Sequence, residues 1–327
     1  MSSPASSSFP ALPAASRGFL LVVLAALCWG TSGVSGRFVA DRAGLGPLDI
    51  AWHRLAIGAV VLLIGFSLTR RRRAAASSGS TTPLTRGTAA RLVLVATGLA
   101  AYQLAYFAAV STAGVSIATL VALGLAPLLI AVGATALGHG RPDRATGVAL
   151  VVALVGLVLL VGISAGADAG TTVVLGALLA VGSALGYAVV TLAGAGVPAG
   201  IPVTLAGFAG GALLLTPVAL VTGLRFTTDP VALGVLLYLG AVPSALAYGM
   251  FFSGIRIVPG AVASIVTRLE PLTATALATA FLGERLSPGA LAGGLLVLAA
   301  VAGLYLRRMG DSNSRGVAPN PLSKRAP

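Results

Sequence analysis

Ten stretches of predominantly apolar sequence, each about 20 residues long, run almost end to end through this chain. They cover residues 18–40, 48–68, 89–111, 115–138, 146–163, 173–194, 201–223, 231–257, 260–283 and 288–307. An α-helix rises about 1.5 Å per residue, so each stretch is long enough to cross a hydrocarbon core roughly 30 Å thick. Only 9% of the residues are charged, and the mean hydropathy is +1.00; a soluble domain carries about 25% charge. A water-soluble fold could not hide this much apolar surface. The expected fold is an all-α membrane protein of ten transmembrane helices. The 43 glycines suit helices that pack closely in lipid. The first stretch is too long, and too closely followed by others, to read as a cleaved signal peptide.

The formal net charge of +13 would suit a nucleic-acid partner, but its distribution argues against one. Most basic residues lie in short segments that flank apolar runs, as membrane topology signals do. With the N-terminus placed in the cytoplasm, 15 of the 21 basic residues fall on cytoplasmic segments. Only Arg42, Arg225 and Arg285 fall on outer loops, and Arg37, Arg54 and Arg268 lie within spans. Both termini are therefore expected in the cytoplasm, and the chain in the cytoplasmic membrane. Residues 1–17 read as a disordered N-terminus, 69–88 as a basic cytoplasmic loop and 308–327 as a polar tail. Cys28 is the only cysteine, which excludes an intrachain disulfide.

An internal repeat divides the chain. GLAPLLIAVGATALG (Gly124–Gly138) resembles RLEPLTATALATAFLG (Arg268–Gly283), with Pro127 and Pro271 as anchors. ALCWG (Ala26–Gly30) loosely matches ALGYA (Ala184–Ala188), which places Trp29 opposite Tyr187. The halves are then 18–163 and 173–307. Five spans is an odd number, so the second half inserts upside down. Inverted repeats with a site at their interface are a transporter architecture.

CWGTSGVSGRF in the first span, HRLAIGAVVLL in the second and EPLTATALATAFLGERLS late in the second half carry a family resemblance over roughly residues 18–308. Together with the 5+5 repeat they resemble the EamA-type branch of the drug/metabolite transporter superfamily. The resemblance implies two inverted five-helix repeats and a secondary transporter, most naturally an exporter of small metabolites such as amino acids or drug-like compounds. One departure stands out. The family's Gly-Glu-Arg turn is present as Gly283-Glu284-Arg285, whereas the first half has His139-Gly140 where the glutamate is expected.

Ionisable groups inside a membrane are costly, about 2.5–3.5 kcal/mol on insertion scales, and are functional candidates by default. Glu270 lies roughly 15 Å into the ninth span, close to the midplane. It reads either as a proton- or cation-binding carboxylate or as a structural partner for an arginine. Arg268 reads either as a contact for a substrate carboxylate or as a side chain snorkelling to the surface. Residues i and i+2 lie about 200° apart on a helix, so Arg268 and Glu270 form no simple local pair. Arg54 could reach Glu270 or an anionic substrate group, and the resemblance implies that an arginine here is common; His53 reads as a packed histidine and Trp52 as part of an interfacial aromatic belt. Trp29, Tyr102, Gln103, Tyr106, Tyr187 and Tyr248 are candidates to line the path, or else polar glue between helices. Pro127 and Pro271 are candidate kinks or hinges.

Other chemistries lack their residues. No GxxxxGK[ST] loop is present, two histidines and one cysteine do not make a conventional zinc site, and no Ser-His-Asp set assembles from His53 and His139. A membrane enzyme acting on lipid or isoprenoid substrates is the alternative from another class. It would need clustered acidic or histidine groups at a membrane face, and the eight acidic residues are scattered. The expected partners are a small-molecule substrate and the lipid bilayer, without a cofactor.

Overall fold

The computed structural model describes residues 14–74, 84–138, 144–164, 170–198, 200–258, 262–263 and 266–314. Most of the expected disordered N-terminus, the centre of the basic loop, the His139-Gly140 turn and nearly all of the polar tail lie outside the described residues. Every regular element among the described residues is helical. In chain order these are α1 (Ala14–Gly30), α2 (Ser32–Ala43), α3 (Pro47–Ala74), α4 (Arg86–Ala136), α5 (Arg144–Ser164) and α6 (Gly170–Ala195). There follow α7 (Val203–Thr222), α8 (Pro230–Gly240), a wider π-turn segment (Ala241–Leu246), α9 (Ala247–Gly254), α10 (Leu269–Leu282) and α11 (Pro288–Ser314).

Six of these stretches are long and apolar enough to cross a membrane: Ser16–Ala43, Pro47–Arg70, Arg86–Ala136, Gly170–Ala195, Val203–Thr222 and Pro230–Gly254. Three shorter apolar helices accompany them, Gly147–Val161, Leu269–Leu282 and Pro288–Ala300. The outside of the bundle is apolar. Val221 is 88% exposed, Phe281 74% and Leu213 72%, which is tolerable only where the surrounding solvent is lipid.

The 51-residue α4 is not one rod. Gly114 has φ 83° and ψ 167°, outside helical space and in a region that favours glycine. The hydroxyl of Tyr106 meets that of Thr119 at 2.8 Å although the two are 13 residues apart; on a straight helix that separation would be roughly 20 Å. The chain therefore reverses at Gly114, and 86–113 and 115–136 form two antiparallel arms. The predicted stretches 89–111 and 115–138 bracket this point.

A helix that starts inside a membrane protein exposes its first amides and needs acceptors for them. For the second arm of α4 the acceptor comes from far along the chain. Glu284 takes the amides of Val115 at 2.6 Å and Ser116 at 2.9 Å. A carboxylate at a helix N-terminus also meets the positive end of its dipole. The retained Gly-Glu-Arg turn thus caps a helix in the other half of the sequence.

The connections at 43–47 and 223–229 are stapled to one another. Asp49 accepts from the amides of Gly46 at 3.0 Å and Arg225 at 3.1 Å. Arg42 donates to Asp229 at 2.8 Å, and Asp229 also takes the amide of Ala232 as N-cap of α8. Hydrogen bonds from the Arg42 side chain and the helix amide hold the Asp229 carboxyl down to about 2. A lowered carboxyl favours the folded state above its unfolded value, so this staple stays charged at ordinary pH and is lost only as the pH falls toward about 2.

Glycines bring backbones together at two helix crossings. A Cβ at Gly186 of α6 would lie 2.8 Å from both the Gly98 carbonyl and the Tyr102 amide of α4. A Cβ at Gly293 of α11 would lie 2.6 Å from the Gly156 carbonyl of α5. We predict that Gly186→Val destabilises by about 1–3 kcal/mol through overpacking, whereas Gly234→Val, at a position with no neighbour within 4 Å of a Cβ, leaves stability nearly unchanged. Glu284→Ala is expected to cost about 1–2 kcal/mol as the loss of a helix cap, and Glu284→Gln less, because its amide oxygen still accepts. Denaturant unfolding of the purified protein in detergent measures all four.

Candidate functional site

Arg54 lies in the third turn of α3 and is 3% exposed. Its Nε donates to Ser244 Oγ at 3.1 Å and its Nη1 to Gln103 Oε1 at 3.1 Å, while the guanidinium lies 5.8 Å from the centre of the Phe107 ring. Buried charge is costly unless it is hydrogen-bonded, and here neutral acceptors and an aromatic face supply the compensation. The acceptor Ser244 sits in the π-turn segment. Pro243 beside it has no amide for the carbonyl of Leu239, four residues back. Ser244 Oγ donates to that carbonyl at 3.0 Å instead. The proline break therefore both places Ser244 and gives its hydroxyl proton a destination, which leaves its lone pairs for Arg54.

Glu270 is half-buried and stands in the first turn of α10. Thr267 and Arg268 form a turn just before it, and the Glu270 amide donates to the Thr267 carbonyl at 3.1 Å. Pro271 is the third residue of α10, within the first turn, where an amide has no intrahelical partner to lose. It starts a helix rather than bending one. Pro127, by contrast, lies inside the second arm of α4. Among the described residues the Glu270 carboxylate makes no hydrogen bond and no ion pair within 4 Å. Arg54 spends its hydrogen bonds on Ser244 and Gln103, so of the two readings for it, pairing with Glu270 is not a contact in this structure.

Aromatic groups pack near these two charges. Trp29 packs on Tyr248 with ring centres 5.2 Å apart and on Phe251 at 5.3 Å. Its indole Nε1 is buried and has no acceptor among the described residues. Tyr102 packs on Tyr187 at 5.5 Å and on Tyr106 at 6.3 Å. A Cβ at Gly33 would lie 2.6 Å from the Tyr106 hydroxyl, so the glycine makes room for it. The Glu270 carbonyl would lie 2.9 Å from a Cβ at Gly30, next to Trp29, so α10 passes close to α1 here. Helices α1, α3, α4, α6, α9 and α10 carry these groups.

Of the nine binding residues predicted from the sequence, Arg54, Gln103, Tyr102, Tyr106 and Tyr187 are linked by contacts, through Phe107 and the tyrosine rings; Trp29 and Tyr248 pack on one another, and Glu270 stands near Gly30 without touching either group through its side chain. Arg268 neighbours it, but its Nη1 donates to the backbone carbonyl of Leu123 at 3.0 Å. His53 is 7% exposed, its Nδ1 lies 2.7 Å from the Asp49 carbonyl, and its ring packs against Phe226; it is a packed histidine. Trp52 donates to Thr216 Oγ1 at 2.9 Å. Sequence reasoning missed Ser244, Phe107 and Thr119. Only Ser244 carried a signal, the proline next to it in a long apolar run.

The arrangement offers one carboxylate with no hydrogen bond, one indole donor without an acceptor, and an arginine already committed to its neighbours. Among the described residues no group of three or more His, Cys, Asp or Glu side chains is placed to hold a metal ion.

Comparison with known proteins gives the family. Residues 16–162 and 174–306 each match the EamA-like transporter family. The chain is 31% identical over 287 residues to the uncharacterized transporter YwfM of Bacillus subtilis (strain 168), covering 86% of this chain and 93% of that protein. It is 24% identical over 300 residues to the uncharacterized inner membrane transporter YicL of Salmonella typhimurium (strain LT2), covering 87% and 94%. A crystal structure with 23% identity superposes with a TM-score of 0.59 over 90% of this chain and 99% of the other, which speaks to the fold alone. With both halves matched and a relative above 30% identity along most of its length, this chain is a multi-pass membrane protein that belongs to the EamA-like transporter family.

Proposed function

We propose that this protein is a secondary transporter of small metabolites, such as amino acids or drug-like compounds, and that it exports them across the cytoplasmic membrane by alternating access. It crosses the membrane ten times: the six long stretches, with the two arms of α4 counted separately, and the three shorter apolar helices. The halves 18–163 and 173–307 insert as inverted five-helix repeats, and both termini face the cytoplasm. In support, one family pattern matches each half in turn, and the arginines gather on the segments this topology places inside. The stapled connections at 43–47 and 223–229 then face outward.

The observation that carries the site is the Glu270 carboxylate. Among the described residues it makes no hydrogen bond, and it stands half-buried at the start of a helix that passes close to Gly30, next to Trp29. An ionisable group within a span is costly and is a functional candidate by default. Glu270 binds the coupling proton or a cationic group of the substrate, Trp29 and the tyrosines wall the path, and Arg54 holds α3, α4 and the π-turn segment in register. Transport by a proton-coupled carrier depends on the transmembrane pH gradient. Glu270→Gln keeps the size of the side chain and removes its titration.

A thermal-shift screen of the purified protein against a metabolite panel identifies a ligand, and counterflow of that radiolabelled ligand in proteoliposomes follows its movement. We predict that an imposed pH gradient alters flux at least several-fold in the wild type and not at all in Glu270→Gln. Equal gradient dependence in the two proteins would remove Glu270 from the coupling.

A further inference from the structure

Arg268 is drawn to a particular carbonyl. It is the oxygen of Leu123, on the second arm of α4. Leu123 is four residues before Pro127, so its carbonyl is the one that Pro127, having no amide, leaves without the usual helical donor. In lipid no water is at hand to replace that donor, and an unsatisfied backbone group costs several kcal/mol. A guanidinium is always charged and its donors form a rigid fork, which suits it to serve a fixed acceptor.

We propose that Arg268 is a positioning residue: it supplies the hydrogen bond that Pro127 denies to Leu123, and so ties the turn that carries Glu270 to the proline site of the other half. The bond spans 145 residues of sequence. It fixes the backbone two residues before Glu270, and so sets where that carboxylate enters the interior. The repeat-related position in the first half is Gly124, where a Cβ would collide with Val297 of α11. No side chain can stand there to return the favour. The carbonyl that Pro271 leaves open, that of Thr267, instead takes the amide of Glu270 within the turn. The proline is shared by both halves, but the arginine serves one of them only.

This inference concerns what holds Arg268 and stands apart from the coupling role of Glu270. A double-mutant cycle on the full-length protein tests it. Pro127→Ala restores an amide four residues after Leu123, so that the carbonyl no longer needs Arg268. Arg268→Ala is expected to lower the unfolding midpoint in detergent by about 5 °C with Pro127 present, and by less than about 2 °C in the Pro127→Ala background. Arg268→Lys, which keeps a donor, is expected to recover most of the loss. Hydrogen exchange adds a readout that works even where unfolding is irreversible. Peptides covering 119–130 exchange faster in Arg268→Ala than in the wild type, and Pro127→Ala reverses this. An equal loss in both backgrounds, or no rescue by Pro127→Ala at either readout, would overturn the assignment and return Arg268 to the substrate path.

Discussion

In a bilayer, a backbone group that loses its helical partner must find another within the protein, and this requirement organises the interior of this transporter. Its helices are interrupted at Gly114, at Pro127, at Pro243 and just before Pro271. Each interruption leaves amides or a carbonyl bare, and each is answered locally or from across the chain. Glu284 accepts from Val115 and Ser116, Arg268 donates to Leu123, Ser244 donates to Leu239, and Glu270 donates to Thr267. Two of the four answers cross from one half of the sequence to the other, so neither half satisfies its own backbone alone.

The same interruptions build the site. Ser244 can accept from Arg54 because its own proton goes to the carbonyl beside Pro243. Glu270 stands at a helix start because the chain turns at Thr267 and Arg268. Tyr106 comes together with Thr119 because α4 folds back at Gly114. The polar interior is thus a consequence of where the helices break, and the closely packed glycines set how near the intact parts approach. A transporter that moves between two states has reason to place its polar groups at such points, since a broken helix costs less to rearrange than a continuous one.

Much of this was legible in the sequence. Apolar length gave the helices, and the boundary near residue 114 came from the gap between two apolar runs. Several of the polar residues inside spans contact one another, because a membrane interior leaves ionisable and aromatic groups few other places to be. The prolines and the Gly-Glu-Arg turn also stood out. What each polar group touches was not legible. The partners of Glu284 and Arg268 lie 169 and 145 residues away, and their registry depends on how helices cross, which spacing along a single helix does not encode. Pro271 is instructive in this respect. As a proline in an apolar run it suggested a kink, yet the turn before it makes it the third residue of a new helix.

The claim that side chains of one half complete the broken backbone of the other is tested most directly at the strongest such contact. Hydrogen–deuterium exchange of the wild type and of Glu284→Ala, read in peptides covering residues 112–120, reports on the Val115 and Ser116 amides. The account predicts slow exchange there in the wild type and markedly faster exchange confined to those peptides in the variant. Equal exchange in the two proteins would contradict it.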